Sequence, residues 1–262
     1  MLNELEGIRI LLTDDNEYNR MVVRETLELK IKNVRIDEAY DGLMALNMLQ
    51  QKEYDVVIMD LVMPQLNGLE TTQKIRSEFS DGKKNIPIIA ITASVIKSER
   101  AKCHAAGMNG FIPKPFKTHE VISAIYSVLK GIEQFDTPDV VMSGHTTHRL
   151  INLDYVNEIS EGDTERIRRY GELFIQKISG MMEGLREAAK SHDFEKVRIE
   201  AHSMKSILKF NGVLSGVELA ETIEKNCSSK TDLDILPELI EQLNSICNGA
   251  LEEIKSVIQA GL

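Results

Sequence analysis

The stretch Val56-Val57-Ile58-Met59-Asp60 decides the fold, because four consecutive apolar residues run straight into a carboxylate. A strand that is apolar at every position, rather than at every second one, is buried on both faces, as parallel strands between helices are. Three neighbouring runs share the pattern: residues 8–12 lead into Thr13, Asp14 and Asp15, residues 88–91 into Thr92, and residues 111–113 into Lys114. With residues 34–39 and Gly110 added, the strand candidates are 8–12, 34–39, 56–60, 88–92 and 110–113. The stretches between them are long enough for the crossover helices that parallel strands require. The final one is the clearest, with Val121, Ile122, Ile125, Val128 and Leu129 at helical spacing behind Thr118, a residue able to cap the start. The expectation is an α/β doubly wound sheet of five parallel strands. Ligands bind at the carboxyl edge of such sheets, so Asp14, Asp15, Asp60, Thr92 and Lys114 should converge there.

Gathering three carboxylates has a cost that selects the chemistry. Two unit charges about 4 Å apart repel by roughly 4 kcal/mol at an effective dielectric near 20. Three such pairs reach on the order of 10 kcal/mol, comparable with the stability of a whole domain. The site must relax, take up protons or bind a cation, and a hard divalent ion such as Mg2+ suits carboxylates and water. Thr92 can hydrogen-bond an anionic oxygen and Lys114 can neutralise one. A carboxylate, a metal, a hydroxyl and an ammonium around one cavity suit in-line phosphoryl transfer onto a side chain.

The rest of the chain reads differently. Residues 131–150, with Pro138, Ser143, Gly144, His145 and His148, lack sustained periodicity and read as a linker. Two histidines without further ligands there read as solvated rather than as a metal site. Beyond residue 151 the apolar residues step by three or four, at Ile167, Tyr170, Phe174, Ile178, Met181 and Leu185, then Val197, Ala201, Met204 and Leu208. The pattern resumes at Leu236, Leu239, Leu243, Ile246, Ala250, Ile254 and Val257, so the second half is expected to be an all-α helical bundle. The domain expectation is 1–130, a linker at 131–150, and 151–262. Within the second half, Arg198, His202, Lys205 and Lys209 share a helix face apart from the apolar stripe. His202 is accordingly expected on a solvent face among cations, which would keep its imidazole neutral and nucleophilic.

Bulk properties exclude several classes. The 262 residues carry 31 basic and 41 acidic side chains, a formal charge of −10, which argues against nonspecific nucleic-acid or anionic-membrane binding. No apolar run approaches the roughly 20 residues of a membrane helix, and no leader pattern opens the chain. Cys103, Cys227 and Cys247 are scattered, without CxxC spacing, which suggests small buried side chains in a reducing, cytoplasmic setting.

Together, Asp14-Asp15, the run Met59-Asp60-Leu61-Val62-Met63-Pro64 with Gly68, Ile91-Thr92-Ala93, and Lys114-Pro115-Phe116 resemble the response-regulator receiver domain over about residues 6–130. The resemblance implies that Asp60 is the phosphoacceptor. Asp15 and the backbone carbonyl of Val62 would contact Mg2+ directly, with Asp14 acting through water, while Thr92 and Lys114 hold the phosphoryl oxygens. Phe111 matches the family's switch aromatic, expected to turn inward on phosphorylation as Thr92 moves. The Lys114–Pro115 bond would be cis.

Ala201-His202-Ser203-Met204-Lys205, with Gly212, Gly162-Asp163 and His192-Asp193-Phe194, resembles the histidine-containing phosphotransfer (HPt) domain, a four-helix bundle, over about residues 151–230. It implies His202 as phosphoacceptor and Lys205 as its electrostatic partner. Ser206 departs from the family's usual glycine. A histidine-kinase dimerisation box is the nearest competitor, but Ile207 stands where a proline is normal and no ATP-binding motif follows.

These readings make the chain a phosphorelay piece, with an upstream histidine kinase as donor and a downstream response-regulator receiver as acceptor. It would be the cytoplasmic receiver–HPt part of a hybrid sensor kinase or a free-standing intermediate. An aspartate-nucleophile phosphatase would want an acid at Val62, and a phosphate-independent scaffold would not need Asp60, Thr92, Lys114 and His202 together. A DNA-output regulator would want a basic recognition helix, which the second half lacks.

Overall fold

A computed structural model of the chain describes residues 1–80, 82–93, 97–135 and 150–260. The expected linker positions Pro138, Ser143, Gly144, His145 and His148 lie outside the described residues. The chain divides into two compact units, Met1–Val141 and Met142–Leu262.

In the first unit the apolar runs become strands: β1 (Arg9–Thr13), β2 (Arg35–Ala39), β3 (Val56–Asp60), β4 (Ile88–Thr92) and β5 (Gly110–Pro113). They form one sheet in the order β2-β1-β3-β4-β5, and every neighbouring pair is parallel. The central β3 and β4 are buried at every position, whereas the edge strand β2 is half-buried and carries charges. The crossover helices are α1 (Glu17–Lys30), α2 (Gly42–Gln51), α3 (Gly68–Glu78), α4 (Lys97–Ala106) and α5 (Thr118–Leu129). α1 packs against α5, and α3 packs against α2 and α4, so the sheet is covered on both faces. Side chains alternate across it. Leu11, Val57, Met59, Ile88, Ala90 and Phe111 enter the core shared with Ala45, Leu49, Ile75 and Cys103, which α2, α3 and α4 supply.

Two local devices shape the carboxyl edge. Asn16 caps α1 by accepting the Tyr18 N–H at 2.9 Å, which turns the chain sharply after Asp14 and Asp15. Gly68 opens α3 directly against β3: a Cβ there would stand 2.1 Å from the Asp60 carbonyl oxygen, so no larger residue fits.

The second unit contains the short α6 (Asp154–Ser160) and four long helices, α7 (Thr164–Lys190), α8 (Phe194–Phe210), α9 (Leu214–Ser229) and α10 (Leu236–Gln259). α7 touches α8 and α10, and α9 touches α8 and α10, which closes a four-helix bundle. The stripe Val197, Ala201, Met204 and Leu208 is fully buried, as its spacing predicts. On α7 the buried methionine is Met182 rather than the expected Met181. Gly212 turns α8 into α9 with φ of 67°, and a Cβ there would lie 2.3 Å from the Asn152 carbonyl oxygen. Among the described residues, no helix is long and apolar enough to cross a membrane.

Candidate functional site

Parallel register delivers the strand-end residues to one place. Asp14 and Asp15 follow β1, Asp60 ends β3, Thr92 ends β4, and Lys114 follows β5. The Lys114 N–H donates to the Thr92 carbonyl at 2.7 Å, which aligns the last two strands, and the Lys114–Pro115 peptide is cis. One carboxylate oxygen from each of Asp14, Asp15 and Asp60 lies within 4.8 Å of the others. Asp14, Asp60, Thr92 and Lys114 are buried and Asp15 is half-buried.

Lys114 stands between two of the acids. Its Nζ donates to Asp14 Oδ2 at 2.5 Å and to Asp60 Oδ2 at 2.5 Å. The other oxygen of Asp14 accepts from the Asn16 N–H at 2.8 Å and the Asn19 Nδ2 at 3.1 Å. Asp60 Oδ1 accepts from the Val62 N–H at 3.2 Å. Arg20 reaches the Asp14 carbonyl at 2.7 Å, which fixes the main chain of the acidic pair.

Burial opposes the charge of Lys114, but Asp14 and Asp60 outweigh it and hold the ammonium more basic than usual. Asp14 moves the other way. Its burial, reinforced by the charges of Asp60 and Asp15 and only partly offset by Lys114, pushes its pKa from 3.8 up to about 8. Two of the three acids thus share one ammonium, and the cluster keeps a proton where an ordinary aspartic acid would have none. An all-oxygen, anionic donor set of this kind fits a hard divalent cation, and uptake of the ion would replace the retained proton.

The second cluster lies in the bundle. His202 was expected on an open face among cations, and the structure corrects this: only 4% of the residue is exposed. The cause is α9, which brings Glu224 across the histidine. His202 Nδ1 lies 2.7 Å from Glu224 Oε1, and Lys205 Nζ lies 2.5 Å from Glu224 Oε2. Of the other expected cations, Arg198 pairs with Glu195 at 2.7 Å, and Lys209 is half-buried, its pKa lowered by burial. Burial resists the charge on Glu224, but the His202 hydrogen bond and the charges of His202 and Lys205 prevail, bringing its pKa from 4.5 to about 2. With that carboxylate ionised and able only to accept, Nδ1 is the ring nitrogen that donates to it, which leaves Nε2 as the nitrogen turned away from Glu224 Oε1. Ser206, one turn beyond the histidine, is buried.

Glu224 is the residue that sequence reasoning missed. Its neighbours Val217, Ala220, Ile223 and Cys227 form a buried stripe, so an acid flanking that stripe was a usable signal. Its register opposite His202 depends on the turn at Gly212, which no periodicity encodes.

Phe111, expected to turn inward on phosphorylation, is already inward and fully buried, with the Arg100 guanidinium carbon 5.2 Å from the ring centroid. Cys103, Cys227 and Cys247 are buried free thiols.

Two family models match the chain. The family model for the response regulator receiver domain matches residues 10–126, and that for the Hpt domain matches residues 169–257. The sensory/regulatory protein RpfC of Xanthomonas campestris pv. campestris is 24% identical over 221 residues, covering 83% of this chain and 29% of that protein. The sensor protein EvgS of Escherichia coli K12 is 26% identical over 247 residues, covering 92% of this chain and 18% of that protein. The chain therefore spans less than a third of either relative. A solved receiver domain of the sensor histidine kinase PA1611 from Pseudomonas aeruginosa PAO1, with a magnesium ion in its active-site cleft, is 32% identical. The match covers 47% of this chain and 98% of that one, with a TM-score of 0.43.

Proposed function

This chain belongs to the response regulator receiver and Hpt families, which makes it a phosphorelay signalling protein, and from that premise we propose that Asp60 and His202 are its two phosphoryl acceptors. The observation that carries the reading is the meeting of Asp14, Asp15 and Asp60 within 4.8 Å, with the Lys114 ammonium joining Asp14 to Asp60.

In the proposed transfer an Asp60 carboxylate oxygen attacks the phosphorus of a phosphohistidine. The new O–P bond forms as the P–N bond breaks, and the electron pair returns to the donor's imidazole nitrogen. Lys114 already faces Asp60 and supplies a positive charge to the transferring oxygens, and Thr92 offers a hydroxyl from the next strand end. Asp14, Asp15, Asp60 and the Val62 carbonyl are the proposed holders of Mg2+, which when bound would neutralise phosphoryl charge.

His202 acts through Nε2. As Nε2 forms its bond to phosphorus, the O–P bond of the donor aspartyl phosphate breaks and the electron pair returns to that carboxylate; the ring becomes cationic, and the Glu224 carboxylate on Nδ1–H stabilises the charge. Lys205 is positioned to neutralise the phosphoryl oxygens once drawn from Glu224.

The partners proposed are an upstream histidine kinase whose phosphohistidine serves Asp60, and a downstream response-regulator aspartate that receives from His202. The similarity to RpfC and EvgS supports placing the chain in the cytoplasmic receiver–HPt part of a hybrid sensor kinase. The test is incubation with a labelled histidine-kinase donor and Mg2+, followed by acid and alkali treatment. Acid-stable, alkali-labile label should vanish in Asp60→Asn, and acid-labile label should vanish in His202→Gln. Label that survives in either variant at its assigned domain refutes that assignment.

A further inference from the structure

The chain does not leave the sheet when α5 ends. The Ile132 N–H donates to the Ser127 carbonyl at 2.9 Å, and the Gln134 N–H donates to the Asn109 carbonyl at 2.9 Å. The Phe111 N–H in turn donates to the Gln134 carbonyl at 2.9 Å, which makes a parallel bridge between Gly110 and Gln134. At Gly110 the strap lies in van der Waals range of β5, since a Cβ there would stand 3.4 Å from the Gln134 carbonyl oxygen. Phe135 packs against the core that contains Phe111, and its ring meets His104 of α4 edge-on at 5.3 Å. Glu133 Oε2 lies 3.2 Å from His104 Nε2. β5 is an edge strand, so these residues cover backbone groups that would otherwise face outward.

The same strand leads to Lys114. From the strapped Phe111 to Lys114 is three residues, roughly 10 Å at the rise of a strand. One end is therefore held by residues 132–135, and the other ends in the ammonium that joins Asp14 and Asp60. Phe111 is pinned from both sides, its N–H by Gln134 and its ring by the core and Arg100. A phosphoryl group on Asp60 places new anionic oxygens beyond the carboxylate, and Lys114 must turn from Asp60 Oδ2 to meet them. A strand already fixed by its strap presents Lys114 with less freedom left to lose, which favours the phosphorylated state.

We propose that residues 132–135 form a strap whose docking on β5 is coupled to phosphoryl occupancy of Asp60, each strengthening the other. The proposal rests on the reading of Asp60 as phosphoacceptor. Because coupling is reciprocal, it is measurable from both ends, and about fivefold is the expected size.

The experiment uses the whole chain with beryllium fluoride, an acyl-phosphate mimic, and Mg2+. Saturation should slow amide exchange of the Phe111 and Gln134 N–H groups about fivefold or more, and Phe135→Ala and Glu133→Ala should weaken binding of the mimic, the former about fivefold. A strap that only stabilises the fold would lower the unfolding midpoint and leave the mimic's affinity for the folded protein unchanged. The proposal is overturned if the mimic binds the wild type and spares Asp60→Asn, yet both amides exchange as before. The exchange measurement on the wild type stands even if the variants fold poorly. A mimic that binds Asp60→Asn as well as the wild type overturns the reading of Asp60 itself, and the strap proposal with it.

Discussion

Glu224→Gln keeps the shape of the side chain that bridges His202 and Lys205 and removes its charge. The side chain is 18% exposed, so solvent screens it little. Its pKa falls from 4.5 to about 2 in the bundle, which at about 1.4 kcal/mol per unit corresponds to roughly 3 kcal/mol of stability. Because the folded pKa lies below the unfolded one, the contribution is fully present above pH 4.5 and is lost as pH falls toward 2. The variant should therefore be less stable than the wild type by about 3 kcal/mol at pH 7 and by about half that or less at pH 3. Urea unfolding followed through amide signals of α8 and α9 isolates the bundle from the receiver unit, which matters because a two-unit chain need not unfold in one step. A gap that is the same at pH 3 and pH 7, or below about 0.5 kcal/mol at pH 7, would mean that Glu224 behaves as an ordinary surface acid. The reasoning about the His202 tautomer would then fail too, since it needs that carboxylate ionised and close.

Three further outcomes follow from the geometry. Gly68→Ala should destabilise the receiver unit by about 3 kcal/mol or more, because its Cβ would meet the Asp60 carbonyl at 2.1 Å; an unchanged denaturation midpoint would contradict the packing. Mg2+ affinity should rise with pH up to about 8, where Asp14 releases its proton, and level off above it; calorimetry showing a flat profile from pH 6 to 8 would argue against Asp14 in the ion site. The thiols of Cys103 and Cys247, pushed up to about 12 by burial, and that of Cys227, also raised, should ignore Ellman's reagent in the native protein and react once urea is added.

Much of the receiver unit was legible because its strands are buried on both faces and announce themselves as unbroken apolar runs. Val56–Asp60, Ile88–Thr92 and Gly110–Pro113 stand where expected, while the first strand runs Arg9–Thr13, one residue later than read, and the second begins at Arg35. The edge strand β2, with its charged Arg35, Asp37 and Glu38, carries little apolar signal, and only its spacing from its neighbours points to a strand. The meeting of Asp14, Asp15, Asp60 and Lys114 followed from parallel topology alone. The bundle stripes were legible through their period, but a period cannot say what another helix places opposite. Hence His202 read as open, although α9 lays Glu224 over it. The strap was hidden for a different reason: Ile132-Glu133-Gln134-Phe135 is too short for any pattern, and its pairing comes from the fixed return of α5 beside β5.

The absence of a side chain at Gly68 braces Asp60 from behind. With the first turn of α3 seated on its carbonyl oxygen, the main chain of that aspartate has no room to recoil if, as proposed, a phosphoryl group is added at the far end of the same residue. The disturbance has to travel sideways, into the next two strand termini, where Thr92 and Lys114 are joined by a backbone hydrogen bond of 2.7 Å. On the proposed reading, an anvil under one acid would make its neighbours the moving parts, and a message written on β3 would be read first on β4 and β5.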